Sequence, residues 1–201
     1  MNTKKHFQQL YKIYGDSPKS VHWTDTNTQE KRFKILLEID ENIESLIDVG
    51  CGLGDMYKYL QNIGFKGKYC GTDFVDEFID FATRNYDSPN TAFLLNDIRN
   101  DELPKGYDYI TLSGVFNNKI DDNLRLMIST IDKMFLACEK GISFNAMSTY
   151  VDYQDEILYY SNPLDIFDYC KRNLTRKVVL RHDYLVKADS IPYEYTIYLY
   201  K

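Results

Sequence analysis

Residues Leu46-Ile47-Asp48-Val49-Gly50-Cys51-Gly52-Leu53-Gly54-Asp55 decide how this chain folds. A short apolar run carrying an acid at Asp48 reads as a buried parallel strand. Three glycines at alternate positions follow it, and then a segment with helical periodicity. Glycine is required where the backbone takes positive φ or where a ligand lies against the main chain with no Cβ in the way. The stretch therefore predicts a strand, a nucleotide-binding turn and a helix.

Outward from it the same alternation continues. Upstream, Phe7, Leu10, Tyr11 and Tyr14 recur at helical spacing over 3–14, and a second helix runs from Asn27 to about Asp40. Between them lies a polar segment whose lone tryptophan, Trp23, either pins the arm to the body or covers a ligand. Downstream, short apolar strands at Lys68–Thr72, Ala92–Leu95, Tyr107–Leu112 and Ile142–Asn145 alternate with helices, two of which Asp76 and Asp121 or Asp122 are expected to cap. Ser161-Asn162-Pro163 opens a later helix. Val178–Val186 and Tyr193–Tyr200, rich in β-branched and aromatic residues, read as an antiparallel hairpin with a short connection.

The expected fold is α/β: a Rossmann-like, doubly wound, mostly parallel seven-stranded sheet with helices on both faces and a C-terminal antiparallel hairpin. It is read as one domain over 1–201, with an arm or lid over 1–28, a ligand-binding core over 29–145, and a helix and closing hairpin over 146–201. Hydrophobic residues at 44% and charged residues at 27% exclude a disordered chain. The formal net charge of −6 argues against a general nucleic-acid binder, which would carry a basic face. The basic cluster Lys171, Arg172, Arg176, Lys177 and Arg181 reads first as a solvated helix end. Cys51, Cys70, Cys138 and Cys170 lie far apart, with no Cys-x-x-Cys pair and no histidine at ligand spacing, so reduced thiols and no metal centre are expected. No long apolar run follows the basic start Met1–His6, so no signal peptide or membrane span is expected, and the expected location is the cytoplasm.

In an open parallel sheet, ligands bind beyond the carboxyl ends of the strands where strand order reverses. Gly50 to Gly54, Asp73, Asp97 and Ser113-Gly114 all fall at such ends. A dinucleotide fingerprint needs glycine where this chain has Asp55, and a phosphate loop needs a Gly-Lys-Ser/Thr run that is missing. Asp48 would repel a phosphate but can order the glycine turn and the amino group of an amino-acid ligand.

The run from Asp48 to Gly54 resembles the first motif of class I S-adenosylmethionine-dependent methyltransferases, and the likeness extends over most of the chain. The resemblance implies that Gly50, Cys51, Gly52 and Gly54 lie against the methionine part of S-adenosylmethionine. It implies that Asp73 receives the ribose hydroxyls, that Phe74 packs on adenine, and that Asp97 with Ile98 meets the adenine amine. Ser113-Gly114 then lines the cleft near the sulfonium. A more local pattern, with Trp23, Arg32-Phe33, Ser113 to Asn117 and Arg181 to Tyr184, is similar to small bacterial methyltransferase-domain proteins, and places Trp23 and Arg32 on the cofactor side.

For the acceptor, His182 is a candidate base with Asp183 or a tyrosine as its orienter, although a His-Asp pair on a strand sends its side chains to opposite faces. Asn117 and Asn145, at strand ends, either orient an acceptor or cap loops. The Asp/Asn-Pro-Pro-aromatic run of nucleic-acid amino-methylating members is replaced here by Ser113-Gly114-Val115-Phe116-Asn117. A small-molecule acceptor is expected, in an enclosed pocket walled by Tyr150, Tyr153, Tyr159 and Tyr160.

Overall fold

The computed structural model describes residues 3–21 and 26–201, so Trp23 lies outside the described residues. Eight strands form one sheet: β1 (Ser45–Val49), β2 (Lys68–Asp73), β3 (Thr91–Leu95), β4 (Tyr109–Leu112), β5 (Gly141–Ser148), β6 (Tyr160–Ser161), β7 (Val178–Arg181) and β8 (Glu194–Tyr200). Six α-helices accompany them among the described residues: α1 (Thr3–Tyr14), α2 (Thr26–Leu37), α3 (Asp55–Asn62), α4 (Asp76–Tyr86), α5 (Asn123–Ala137) and α6 (Pro163–Asn173). The main path is β3-β2-β1-β4-β5-β8-β7. Its first five strands are parallel, and β8 pairs antiparallel with both β5 and β7. The sequence reading missed β6, two residues that extend the sheet beside the end of β5.

Period-two alternation decides what each face buries. Ile47, Val49, Ile110, Leu112, Ile142 and Phe144 pack with Met127, Ile131 and Met134 of α5. Leu46, Tyr69, Tyr109 and Tyr198 pack with Phe33 and Leu36 of α2 and Met56 and Leu60 of α3. Asp48 falls on the α2/α3 face by the same alternation, and there the Tyr69 hydroxyl donates to its Oδ2 at 2.8 Å. A third cluster joins Leu53, Val75 and Phe78 to Phe7 and Tyr11 of α1, so the amino-terminal helix folds back over the end of α4.

Three local expectations change. Asp76 is the first residue of α4 and not its cap; the cap position is Val75, whose amide donates to Asp73 Oδ1 at 2.9 Å. Asp122 sits at the cap of α5 without a capping bond. Asn123 closes that loop instead, accepting from the Ile120 amide and donating to the Asn118 carbonyl, both at 2.8 Å. Strand β7 ends at Arg181, so residues 182–193 form a long connection and not a short turn. Among the described residues, no helix is long and apolar enough to cross a membrane.

Candidate active site

Sheet register assembles the site. Leu94, Thr72, Val49, Leu112, Phe144 and Ile197 are partnered across six strands in one row. The next residues on the five parallel strands, Leu95, Asp73, Gly50, Ser113 and Asn145, therefore share the rim at their carboxyl ends. Strand order reverses between β1 and β4, the place where this class of sheet opens a crevice. A cavity of about 690 Å³ lies there, within the range of small-molecule sites of roughly 300–1,000 Å³.

The turn after β1 is tied down by its backbone, with the Gly50 and Cys51 amides both donating to the Thr72 carbonyl at 2.8 and 3.0 Å. Gly50 has φ +75° and a Cβ there would lie 2.4 Å from Val115 Cγ2; Gly52 has φ +54° and a Cβ would lie 2.9 Å from Val21 Cγ1. Asp73 Oδ2 accepts from the Gly52 amide at 3.0 Å, so the acid ending β2 holds the glycine turn as well as the start of α4. Phe74 lines the same cavity, with Phe7 edge-on to it at 6.2 Å and the Arg99 guanidinium 5.6 Å from its ring centre.

Of the residues singled out from the sequence, Arg32, Gly50, Gly52, Asp73, Phe74, Asp97, Ile98, Ser113, Gly114 and Asn117 line this cavity. Asp48 and Cys51 line a separate space of about 30 Å³ on the α2/α3 side of the turn, enough to hold a water. Gly54 lines neither space. It sits at the cap position before α3, with its amide donating to the Cys51 carbonyl.

Several roles shift. The two oxygens of Asp97 accept four bonds, from the Arg99 amide, Nε and Nη2 and from Asn100 Nδ2, which fill the acceptor sites of a carboxylate. Arg32 is spent on Glu194: Nε lies 3.0 and 2.9 Å from its two oxygens and Nη2 2.5 Å from Oε1. Burial works against the Arg32 charge, but the Glu194 carboxylate outweighs it and raises the guanidinium pKa.

Asn145 does not line the cavity, because its amide is consumed by the Gly114 N–H and by Glu194. His182 is also off the cavity, with its ring centre 5.9 Å from Tyr150 and 6.4 Å from Tyr195. Asp183 is held by Arg181 and not by His182. The four expected wall tyrosines are absent from the lining, and Tyr153 is 76% exposed. The lining instead includes Ile120, Leu126, Met147, Ile157 and Leu158 beside Asp121 and Asp122, with Tyr193 as its one tyrosine among the described residues.

An element that sequence reasoning missed closes this end. Asn118 and Leu158 form an antiparallel bridge, with the Lys119 amide donating to the Ile157 carbonyl at 3.0 Å and the Tyr159 amide to the Asn117 carbonyl at 2.9 Å. Five buried side-chain polar atoms have no hydrogen-bond partner among the described residues. Three of them, Asn96 Oδ1, Ser113 Oγ and Asn117 Oδ1, belong to cavity residues.

Burial raises the Asp48 carboxyl to about 7, against the Tyr69 hydrogen bond that lowers it, with the Asp73 and Asp55 charges adding to the rise. Burial likewise lifts Asp73 to about 6, although amides of Val75, Gly52 and Phe74 stabilise its charge. An unfolded aspartate titrates near 3.9, so these two groups hold protons in the folded chain that the unfolded chain has released. Their contribution to stability is full below about pH 4 and is lost as pH rises through about 6 to 7. Denaturant midpoints measured from pH 4.5 to 8 should fall and then level off, and Asp48→Asn should flatten the slope; a midpoint that rises across this window contradicts the assignment.

Comparison with known proteins defines the class. The fold matches magnesium protoporphyrin IX methyltransferase from Synechocystis PCC 6803 with bound SAM, at a TM-score of 0.65 and 14% identity over 97% of this chain and 90% of that one. It matches the plantazolicin methyltransferase BpumL in complex with a triazolic desmethylPZN analog and SAH equally well, at 0.65 and 14% over 99% and 96%. Human N-acetylserotonin methyltransferase gives 0.64 and 15% over 98% and 56%. This is the class I methyltransferase fold.

Residues 46–135 match the family described as a methyltransferase domain. The chain is 34% identical over 163 residues to "Putative methyltransferase Rv1506c" of Mycobacterium tuberculosis (strain ATCC 25618 / H37Rv), covering 78% of this chain and 93% of that protein. The chain belongs to the S-adenosylmethionine-dependent methyltransferases, and S-adenosylmethionine is its cofactor. The site fits that group. Its glycine turn leaves backbone open where a Cβ would collide, its β2 acid lines the cavity with acceptor capacity beyond its amide bonds, and its unpartnered oxygens offer acceptors.

Proposed function

We propose that this enzyme methylates an oxygen or nitrogen of a small acceptor held in the aliphatic end of the cavity. The observation that carries the reading is that cofactor-side and acceptor-side residues share one cavity of about 690 Å³, roofed by the Asn118–Leu158 bridge. When bound, S-adenosylmethionine supplies a methyl group on a positively charged sulfur. Asp73 receives the ribose hydroxyls, Phe74 and Ile98 flank the base, and the Gly50–Gly52 backbone lies against the amino-acid part. Asn96 Oδ1, which has no protein donor among the described residues, is the acceptor offered to the adenine amine in place of the occupied Asp97.

On the acceptor side the chain's contribution is position. Leu126, Met147 and Leu158 exclude water, and Asn117 Oδ1 accepts a hydrogen bond from the acceptor's own N–H or O–H. Holding two reactants in line is worth up to about 7–11 kcal/mol of barrier. Among the described residues no histidine lines the cavity, so the reading assigns no imidazole base. A macromolecular acceptor is disfavoured because four of the five side chains of the basic cluster have partners within the chain. Arg172 pairs with Asp168, Arg181 with Asp183 and Glu38, and the Lys171 and Lys177 ammonium groups with carbonyls of Arg176 and Lys201.

The test supplies methyl-labelled S-adenosylmethionine and the protein to a cell extract divided into small-molecule, protein and RNA fractions. Label is expected in the small-molecule fraction, and Leu126→Asp, at a partly buried cavity position, should reduce it by more than tenfold while leaving cofactor affinity within about twofold. Label confined to RNA or protein would overturn the small-acceptor reading.

A further inference from the structure

We propose that Glu194 is a positioning residue for the cofactor site, acting through Asn145 on the Gly114 amide. The inference rests on the cofactor reading above for its binding arm alone. Arg32 on α2 and Glu194 on β8 are 6% and 1% exposed and form a buried forked pair. Asn145 Nδ2 donates to Glu194 Oε2 at 3.3 Å, and Asn145 Oδ1 accepts from the Gly114 N–H at 2.9 Å. A single chain of polar contacts thus runs from α2 through β8 and β5 to the turn after β4. Arg32, Glu194 and Gly114 all line the cavity, whereas Asn145, the link, does not.

A buried ion pair adds little net stability, because taking two charges out of water offsets most of their attraction. What such a pair can impose is geometry. Arg32 is anchored at its far end, with Nη1 donating to the Thr28 carbonyl at 3.0 Å, so the Glu194 carboxylate has one orientation. Its Oε2 then holds the Asn145 amide with nitrogen toward Glu194 and oxygen toward Gly114, and this choice of faces makes Asn145 an acceptor for the turn. Register places the parts, since Met147 pairs with Glu194 and Asn145 with Thr196, on the rim row that also holds Ser113. Through this chain Asn145 and Glu194 set where the Ser113-Gly114 wall stands.

The experiment reads the Gly114 amide proton by NMR in nitrogen-15-labelled protein, alongside calorimetric affinity for S-adenosylmethionine. Glu194→Gln keeps the side-chain shape and removes the charge. It should move the Gly114 amide resonance upfield and weaken cofactor binding about tenfold. Arg32→Lys keeps a charge but loses the fork, and should move the same resonance in the same direction from one residue further away. That variant decides the matter if Glu194→Gln does not fold. Because the parts act in series, Glu194→Gln combined with Asn145→Ala should bind no worse than Asn145→Ala alone. Arg172→Gln, on the exposed face of α6, should leave both readouts unchanged.

A merely structural ion pair would lower the melting point without moving one amide two contacts away. A Gly114 resonance unmoved in both Glu194→Gln and Arg32→Lys, or losses that add in the double variant, would overturn the proposal. A wild type that binds no S-adenosylmethionine would sink the cofactor reading instead, and the Gly114 resonance would still decide the linkage.

Discussion

Asp73→Ala is expected to weaken S-adenosylmethionine binding by about 10²–10⁴-fold. A hydrogen bond to a charged group is worth roughly 1.5–3 kcal/mol, and the carboxylate is assigned two, one from each ribose hydroxyl. The loss has a second source in the protein itself. Asp73 Oδ2 holds the Gly52 amide and Oδ1 the Val75 amide, so truncation also loosens the glycine turn and the start of α4. Losing such a cap typically costs about 1 kcal/mol of stability. The two sources separate in Asp73→Asn, which retains one acceptor oxygen and loses the charge. One of the two amides then faces the new NH2 group, so its melting point should fall less than that of Asp73→Ala while its affinity falls by at least tenfold. Calorimetric titration measures both variants, and undiminished binding by Asp73→Ala would remove Asp73 from the cofactor site.

Why Asp73 was legible from the sequence, and Glu194 was not, follows from what each depends on. A glycine turn after an apolar strand is a local pattern, and the next acid at a strand end shares its rim because adjacent parallel strands stay in register. The strand and helix periods are equally local, which is why most boundaries fall within two or three residues of expectation. The Arg32–Glu194 pair joins residues 162 apart, and nothing near either one states the partner. One signal was present. Glu194 shares its strand face with Thr196 and Tyr198, and Tyr198 packs under α2, so a charge there required a cation on that helix.

The roof failed to show for a related reason. A single bridge between residues 118 and 158 has no period to read, and Tyr150 and Tyr153 looked like wall residues by composition although their rings face outward. His182 follows the end of β7, where strand alternation no longer says which way a side chain points. Asp97 matched its expected position, but the charge two residues later, Arg99, turned it toward its own loop.

Gly50→Ala should cost both stability and cofactor affinity, and its cause can be divided. The residue sits at φ +75°, a conformation that costs an L residue roughly 1–2 kcal/mol. The added Cβ would also stand 2.4 Å from Val115 Cγ2, an overlap that must be relieved by moving the turn or the cavity wall. Forcing extra volume into a packed site costs typically about 1–3 kcal/mol. Together these amount to about 2–5 kcal/mol, a large share of the roughly 5–15 kcal/mol that holds a domain folded. Gly64→Ala supplies the conformational part alone, since Gly64 has φ +83° and an added Cβ would meet nothing within 4 Å. It should lower the melting point and leave cofactor affinity unchanged. In Gly50→Ala both should fall, because Gly50 and Val115 line the cavity together. Val115→Ala removes Cγ2 and leaves Val115's own Cβ 3.8 Å from the new methyl, an ordinary contact. The double variant Gly50→Ala with Val115→Ala should therefore regain cofactor affinity over Gly50→Ala alone while keeping the φ cost in its melting point. If the double variant binds no better than the single one, the collision with Val115 is not what closes the site, and the backbone conformation at Gly50 carries the whole effect.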